Sequence, residues 1–448
     1  MNKLRQILGD LRSSFWFLPS LMVLGSVVLA TALIEADSAW SDRWLDQWPR
    51  LLGVGADGAR QMLSTLAGST MTVMGVTFSM ILVALALASS QYTSRILRNF
   101  MRSRVTQVTL GIFASIFAYC LIVLRTIRGG DAEFVPSLAV SFAFFLALGG
   151  VGTLIFFIHH IASSIQASSI IASIAHETIA AIDRLFPEKP GHEPDEDEGQ
   201  DQILQSLDER TWYAVPAAVS GYIQSVDSDA LLGLARDRKT IVRMEHGVGA
   251  FVVQDAALAS LALTYPPDQE MISDLNKAYS ISCHRTVEQD PSFGIRQIVD
   301  MALKALSPGV NDTSTAVMCV DYLTVILARL ACRKFPPSHR YDGEALRVIC
   351  IIPLFENLLA ESFDQIRRSA EGNVAIMARM LNAIDTIASL TVSRSHRRQL
   401  KEQVQRIAEL ADRSIACTHD RAQIKRRMIH VREALEAKSA LCAREEKG

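Results

Sequence analysis

Apolar residues gather in four long windows near the start of this chain. No Asp, Glu, Lys or Arg occurs between Arg12 and Glu35, between Arg60 and Arg95, between Arg104 and Arg125, or between Glu133 and Glu177. A helix crosses the hydrocarbon layer with about 20 consecutive apolar residues, and each window supplies that many. A charge at the bilayer centre costs about 2.5–3.5 kcal/mol on insertion scales, which accounts for the exclusion. The pattern predicts membrane helices near residues 15–34, 67–90, 106–124 and 136–159. The first window has a signal-like feature, with Ala30-Thr31-Ala32 following Lys3, Arg5 and Arg12. Its apolar run exceeds the roughly 7–15 residues of a signal core, so it is read as a retained anchor.

The pattern changes beyond the fourth window. Ile161 to Leu185 continues at helical period as a stalk, Pro187 ends it, and Glu188 to Asp201 reads as an acidic, solvated linker. Between Thr211 and Thr264, short runs rich in Val, Ile and Tyr are broken by Gly and Asp, the signature of a small β-module that includes a helix over Asp229 to Arg236. From Pro267 onward apolar residues recur at steps of three and four, in Pro291–Leu306, Asp312–Cys332, Pro353–Ser369, Asn373–Leu390 and Ser395–Leu435. Long helices with short breaks suggest a bundle. The expected fold is a mainly α membrane protein, with four transmembrane helices followed by a cytoplasmic domain made of a small β-module and a helical bundle. Its expected divisions are 1–165 (transmembrane), 166–201 (stalk and linker), 202–265 (β-module) and 266–448 (helical). No internal repeat is visible.

Composition agrees with a membrane assignment: 49% of the 448 residues are hydrophobic, although the net charge is only −2. So small a net charge gives no global field to recruit nucleic acid. The seven cysteines form no CxxC pair, which argues against a disulfide framework or zinc site and suits a reducing compartment. Basic residues set the orientation. Lys3, Arg5 and Arg12 precede the first helix, and Arg95, Arg98, Arg102 and Arg104 follow the second without an acid among them. The loop after the first helix instead carries Glu35, Asp37, Asp42, Asp46 and Asp57, together with Trp40, Trp44 and Trp48. The positive-inside rule then puts both termini of this multi-pass chain in the cytoplasm.

Two stretches resemble a known family. They are Glu288-Gln289-Asp290-Pro291-Ser292-Phe293-Gly294-Ile295-Arg296-Gln297, followed by Ala305-Leu306-Ser307-Pro308-Gly309-Val310-Asn311-Asp312, and the Arg-rich segment from Gln91 to Phe100. Together they are similar to the DUF2254 family of bacterial membrane proteins, with the same order of four helices, β-module, signature and helices. The resemblance implies architecture and no activity. The family usually has Pro after Asn-Asp, where this chain has Thr313. Asp312 suits a helix N-cap, and Thr is tolerated at the next position that Pro favours.

Each candidate site has a structural alternative. In the second helix Thr65, Ser69, Thr72, Gly75 and Ser79 form a stripe of small and hydroxyl side chains, able either to line a pore or to let helices approach closely. Arg95, Arg98, Arg102 and Arg104 could attract anions or lipid headgroups, or could serve only as the orientation signal. In the signature loop, Asp290, Arg296, Asp300, Asn311 and Asp312 match no metal-ligand or phosphate-loop spacing. Helix capping by Asp290 and Asp312, and an i,i+4 pair of Arg296 with Asp300, account for most of them. No GxSxG or other catalytic constellation occurs, so neither enzyme activity, cofactor nor metal is expected. A homo-oligomeric passive channel or transport-type protein is one reading, because four helices from one chain are too few to enclose a pore. A membrane-anchored scaffold or sensor with a cytoplasmic protein partner is the other.

Overall fold

A computed structural model describes residues 16–45, 55–91, 104–128, 134–164, 166–186, 207, 210–391 and 393–445, with the side chains of 39–45, 88–91 and 437–445 left aside. Arg95, Arg98 and Arg102, Trp48 and the acidic linker lie outside the described residues. The chain divides into two compact units, Met1–Ser169 and Ile170–Gly448.

Helices α1 (Phe17–Leu45), α2 (Ala56–Gln91), α3 (Arg104–Thr126) and α4 (Ser137–Ser164) build the first unit. The first two exceed their expected bounds. Helix α1 runs on past Glu35 and Asp37, and α2 starts ahead of Asp57 and Arg60. Helix α3 is the hub, with α1, α2 and α4 all packed on it. Tyr119, Cys120 and Val123 of α3 meet Ala59 and Leu63 of α2 and Ala139 and Ala143 of α4 in a buried core. At Gly111 of α3 an added Cβ would stand 3.2 Å from the Pro19 Cα, so α1 crosses there against bare backbone.

Among the described residues, five helices are long and apolar enough to cross a membrane, not four: parts of α1 and α2, all of α3 and α4, and Thr313–Ala331 in the second unit. Counting only charge-free windows passed over this last one, because it contains Asp321 and Arg329.

The second unit begins in helix α5 (Ala167–Leu185) and continues into two interleaved sheets. Strands β1 (Trp212–Pro216), β2 (Gly221–Val226) and β3 (Val242–Met244), with helix α6 (Ser228–Asp237) before β3, form one β-β-α-β half. Strands β4 (Phe251–Val252), β5 (Ala257–Ala262) and β6 (Tyr279–Ser282), with helix α7 (Gln269–Lys277) before β6, form a second. The halves exchange their second strands: β5 pairs between β1 and β3, and β2 between β4 and β6, all antiparallel. Asp227 and Asp268 cap the two helices by accepting the Ala230 and Met271 amides at 3.0 and 2.7 Å. The module is therefore a duplicated motif, although the sequence shows no repeat. What recurs is strand pairing and a capping aspartate, not a run of identical residues.

The region after Pro267, read from the sequence as helical throughout, contributes β6 and a hairpin of β7 (His339–Asp342) and β8 (Ala345–Ile349). Strand β8 pairs in parallel with β3 and extends the larger sheet to the order β1-β5-β3-β8-β7. Polar β7 has no apolar alternation to reveal it. The Asp342-Gly343 turn, with Gly343 at φ +63°, was the available signal. The remaining helices are α8 (Pro291–Ala305), α9 (Thr313–Ala331), α10 (Phe355–Ser369), α11 (Val374–Leu390), α12 (Arg394–Ser414) and α13 (Thr418–Glu445). Helix α9 packs against α8, α10 and α11, and buries Cys319, Leu323, Ile326, Leu327 and Leu330.

Candidate functional site: the signature segment and its neighbours

The signature segment lies where α5, the β-module and the helical bundle meet within the second unit. Asp290 is its pivot. One carboxylate oxygen accepts the Phe293 amide at 3.1 Å and so caps α8, with Pro291 behind it in the first turn. The other is held by Nε and Nη2 of Arg285, both at 2.8 Å. The Arg285 guanidinium also sits 5.1 Å from the centre of the Phe293 ring. Asp290 is 4% exposed. Burial pushes its carboxyl above the usual range, and Arg285 and the Phe293 amide pull it back.

Three further contacts fasten the segment. Gln289 accepts the Val226 amide of β2 at 3.1 Å, and Gln224 donates to the His284 carbonyl at 2.8 Å. Gly249 (φ +87°) turns the chain against the Arg285–Asp290 pair, where a Cβ would come within 3.0 Å of the Asp290 Cγ. On the bundle side, Ser292 donates to Glu361 of α10. Burial raises the Glu361 carboxyl, opposed by the Ser292 hydrogen bond.

Helix α5 is fastened to the same region. Gly294 leaves no room for a side chain: a Cβ there would lie 3.0 and 3.1 Å from Thr178 Cβ and Cγ2, and closer still to its hydroxyl. Arg184 donates to the Glu288 carbonyl at 3.3 Å. At the end of the helix Asp183 accepts Arg329 at 2.7 Å and pairs with buried Arg333, which also donates to the Phe186 carbonyl at 3.0 Å. The Arg329 hydrogen bond holds the Asp183 carboxyl below its usual range.

Arg296 and Asp300 pair at 2.9 Å along α8. Asn311 takes the left-handed conformation (φ +49°) that Asn tolerates better than most residues, and the Asp312 amide returns to the Ala305 carbonyl at 2.8 Å. Asp312 caps α9 through the Thr315 amide at 3.0 Å and the Thr315 hydroxyl at 2.6 Å, bonds that hold its carboxyl below the usual range. Thr313 does something a proline could not: its hydroxyl accepts from Asn373 at 3.3 Å and ties α9 to the start of α11.

In the first unit Thr65, Ser69, Thr72, Gly75 and Ser79 all face outward on α2, opposite buried Ala59, Leu63, Ala67 and Ile81. Thr65, Ser69 and Thr72 donate back to carbonyls of their own helix, at Gln61, Thr65 and Gly68. A Cβ at Gly68 or Gly75 would meet nothing within 4 Å. Arg104 opens α3 and is exposed.

Sequence reasoning missed four groups. Asp37 reaches across 101 residues to accept the Leu138 and Ala139 amides at 3.2 and 3.0 Å, capping α4 from α1. Tyr119, fully buried, donates to the Ala139 carbonyl at 2.9 Å. Arg285 and Glu361 complete the signature cluster from outside it. Among the described residues no group of three or more His, Cys, Asp or Glu is placed to hold a metal ion.

A family model described as a predicted membrane protein (DUF2254) matches residues 12–386. An uncharacterized protein of Mycobacterium bovis is 32% identical over 438 residues, covering 95% of this chain and 81% of its own length. One from Mycobacterium tuberculosis gives the same figures, 32% over 438 residues with 95% and 81% covered. No solved structure matches the chain.

Proposed function

The chain belongs to the DUF2254 family of predicted membrane proteins, and from that premise we propose that it works as a homo-oligomeric, passive channel or transport-type protein of a bacterial inner membrane. In this reading α1 to α4 span the bilayer, and both termini and the second unit are cytoplasmic. The orientation rests on the basic residues around the first two helices. Helix α9 is read as a bundle helix: it buries eight residues within the second unit, and its Asp321 and Arg329 pair with Arg379 and Asp183.

One observation carries the channel reading: the Thr65–Ser79 stripe faces away from its own unit. Outward-facing small residues on a membrane helix suit close approach to other helices. Hydroxyls that donate back to their own helix keep an oxygen lone pair free for a permeating species. Copies arranged around α2 would bring the stripes together on an axis. The reading assigns no catalysis. A scaffold or sensor is the second reading, favoured by Val219, Phe251 and Val253, which are 50–58% exposed around edge strand β4 and would suit a protein partner.

The test is bilayer conductance of the purified protein and of Thr72→Phe and Ser79→Phe, with oligomer mass measured in parallel. The channel reading expects a severalfold lower conductance at unchanged mass. Conductance equal to wild type at unchanged mass would remove α2 from the pathway.

A further inference from the structure

Around the signature segment the charges do not balance. Asp290, Asp300 and Glu361 face two guanidiniums, those of Arg285 and Arg296. Arg285 is committed to Asp290 through two bonds of 2.8 Å, and Arg296 to Asp300 at 2.9 Å. Glu361 receives the Ser292 hydroxyl and, among the described residues, no ion pair. Several other charges on α10 and its neighbours are engaged elsewhere: Glu356 with Gln399, Asp364 with Arg367 and Arg406, Asp321 with Arg379, and Arg329 with Asp183. Glu361 is therefore a partly buried carboxylate with no ion pair among the described residues, beside the neutralised Arg285–Asp290 pair.

That place is also a seam. The Gly249 turn of the β-module abuts the Arg285–Asp290 pair, with room for no side chain. The first turn of α8 holds Ser292, and α10 holds Glu361. An unpaired buried charge is costly and normally neutralises instead. Burial raises both carboxyls, and the Asp290 charge raises that of Glu361 further. Because the two groups interact, their titration belongs to the pair.

We propose that this seam is a proton-linked latch: seating the signature segment between the Gly249 turn and α10 takes up one proton onto the Asp290–Glu361 pair. A carboxyl whose value is raised in the seated form stabilises that form below its unseated value, and the contribution is lost as pH rises through the seated value. The segment is thus held more firmly in acid than in alkali. This inference does not depend on whether the first unit conducts.

The experiment is hydrogen exchange of the full chain in detergent, followed by mass spectrometry from pH 5 to 8 with intrinsic rates corrected. Protection of residues 247–252 and 285–296 should rise as pH falls, by up to about tenfold per unit where one proton is taken up. Glu361→Gln stays neutral and keeps an acceptor for Ser292, so it should hold the acid-level protection at every pH. Asp290→Asn should flatten the profile in the same way with α8 still capped, and Glu356→Gln, on the same helix, should leave it as in wild type. Protection in wild type that is flat, or that rises with pH, overturns the latch. So does a Glu361→Gln profile as steep as wild type; if that variant does not fold, the wild-type profile decides alone.

Discussion

Replacing Gly294 by Ala should loosen the second unit, even though alanine is the better helix former. In α8 that exchange gains up to about 1 kcal/mol of helix propensity. Against it stands the crossing with α5. The new methyl would lie 3.0 and 3.1 Å from Thr178 Cβ and Cγ2 and closer to the hydroxyl, whereas carbon atoms rest at about 3.5–4.0 Å. Thr178 cannot swing aside cheaply, since it is fully buried and its hydroxyl is tied to the Ile174 carbonyl at 2.6 Å. Overpacking of this kind costs about 1–3 kcal/mol, and the tethered Thr178 puts this crossing at about 2–3, so after the propensity gain the net loss should be about 1–2 kcal/mol. In a unit of this size that lowers the melting temperature by about 2–8 °C. Gly233 in α6 is the internal control, because a Cβ there meets nothing within 4 Å. Gly233→Ala should stabilise, by about 0.4–1 kcal/mol. Thermal unfolding in detergent reads both, and the Thr178→Ala/Gly294→Ala pair should recover part of the loss in a double-mutant cycle. A Gly294→Ala protein as stable as wild type, or a cycle without coupling, would refute the close crossing.

Further outcomes follow from two of the capping aspartates, Asp37 and Asp312. Asp37→Leu strips the Leu138 and Ala139 amides of their acceptor inside the first unit and should cost about 2–4 kcal/mol, whereas Asp37→Asn, which keeps one acceptor, should cost less; detergent melting curves check the order. Asp312→Ala should cost about 1 kcal/mol through the lost α9 cap. Because the folded-state carboxyl of Asp312 is lowered, the wild-type advantage should be full at neutral pH and fade as pH falls below the ordinary carboxylate range, which denaturant titrations at several pH values would follow.

How much of this was legible in the sequence depended on range. The apolar windows were legible because a membrane helix must exclude charge where it crosses the hydrocarbon layer, a local property. The caps at Asp290 and Asp312 and the Arg296–Asp300 pair were legible for the same reason, being settled within one helical turn. Asp37 was not, because the helix start it caps lies 101 residues away. Glu361 meets Ser292 across 69 residues, and Gly294 reads as an ordinary glycine until α5 is laid across it. The duplicated β-module was hidden because its symmetry lies in strand partners. The fifth apolar helix was missed because its two charges find partners within the second unit, so that a sequence scan for charge-free stretches passes over a helix apolar everywhere else.

The central claim is that copies assemble with the α2 stripes facing a common axis. The most direct measurement is the mass of the detergent-solubilised, full-length protein by light scattering coupled to size-exclusion chromatography. The account predicts a ring of four or more subunits. A monomer or dimer would contradict it, since two sets of four helices leave no wall for a central pathway.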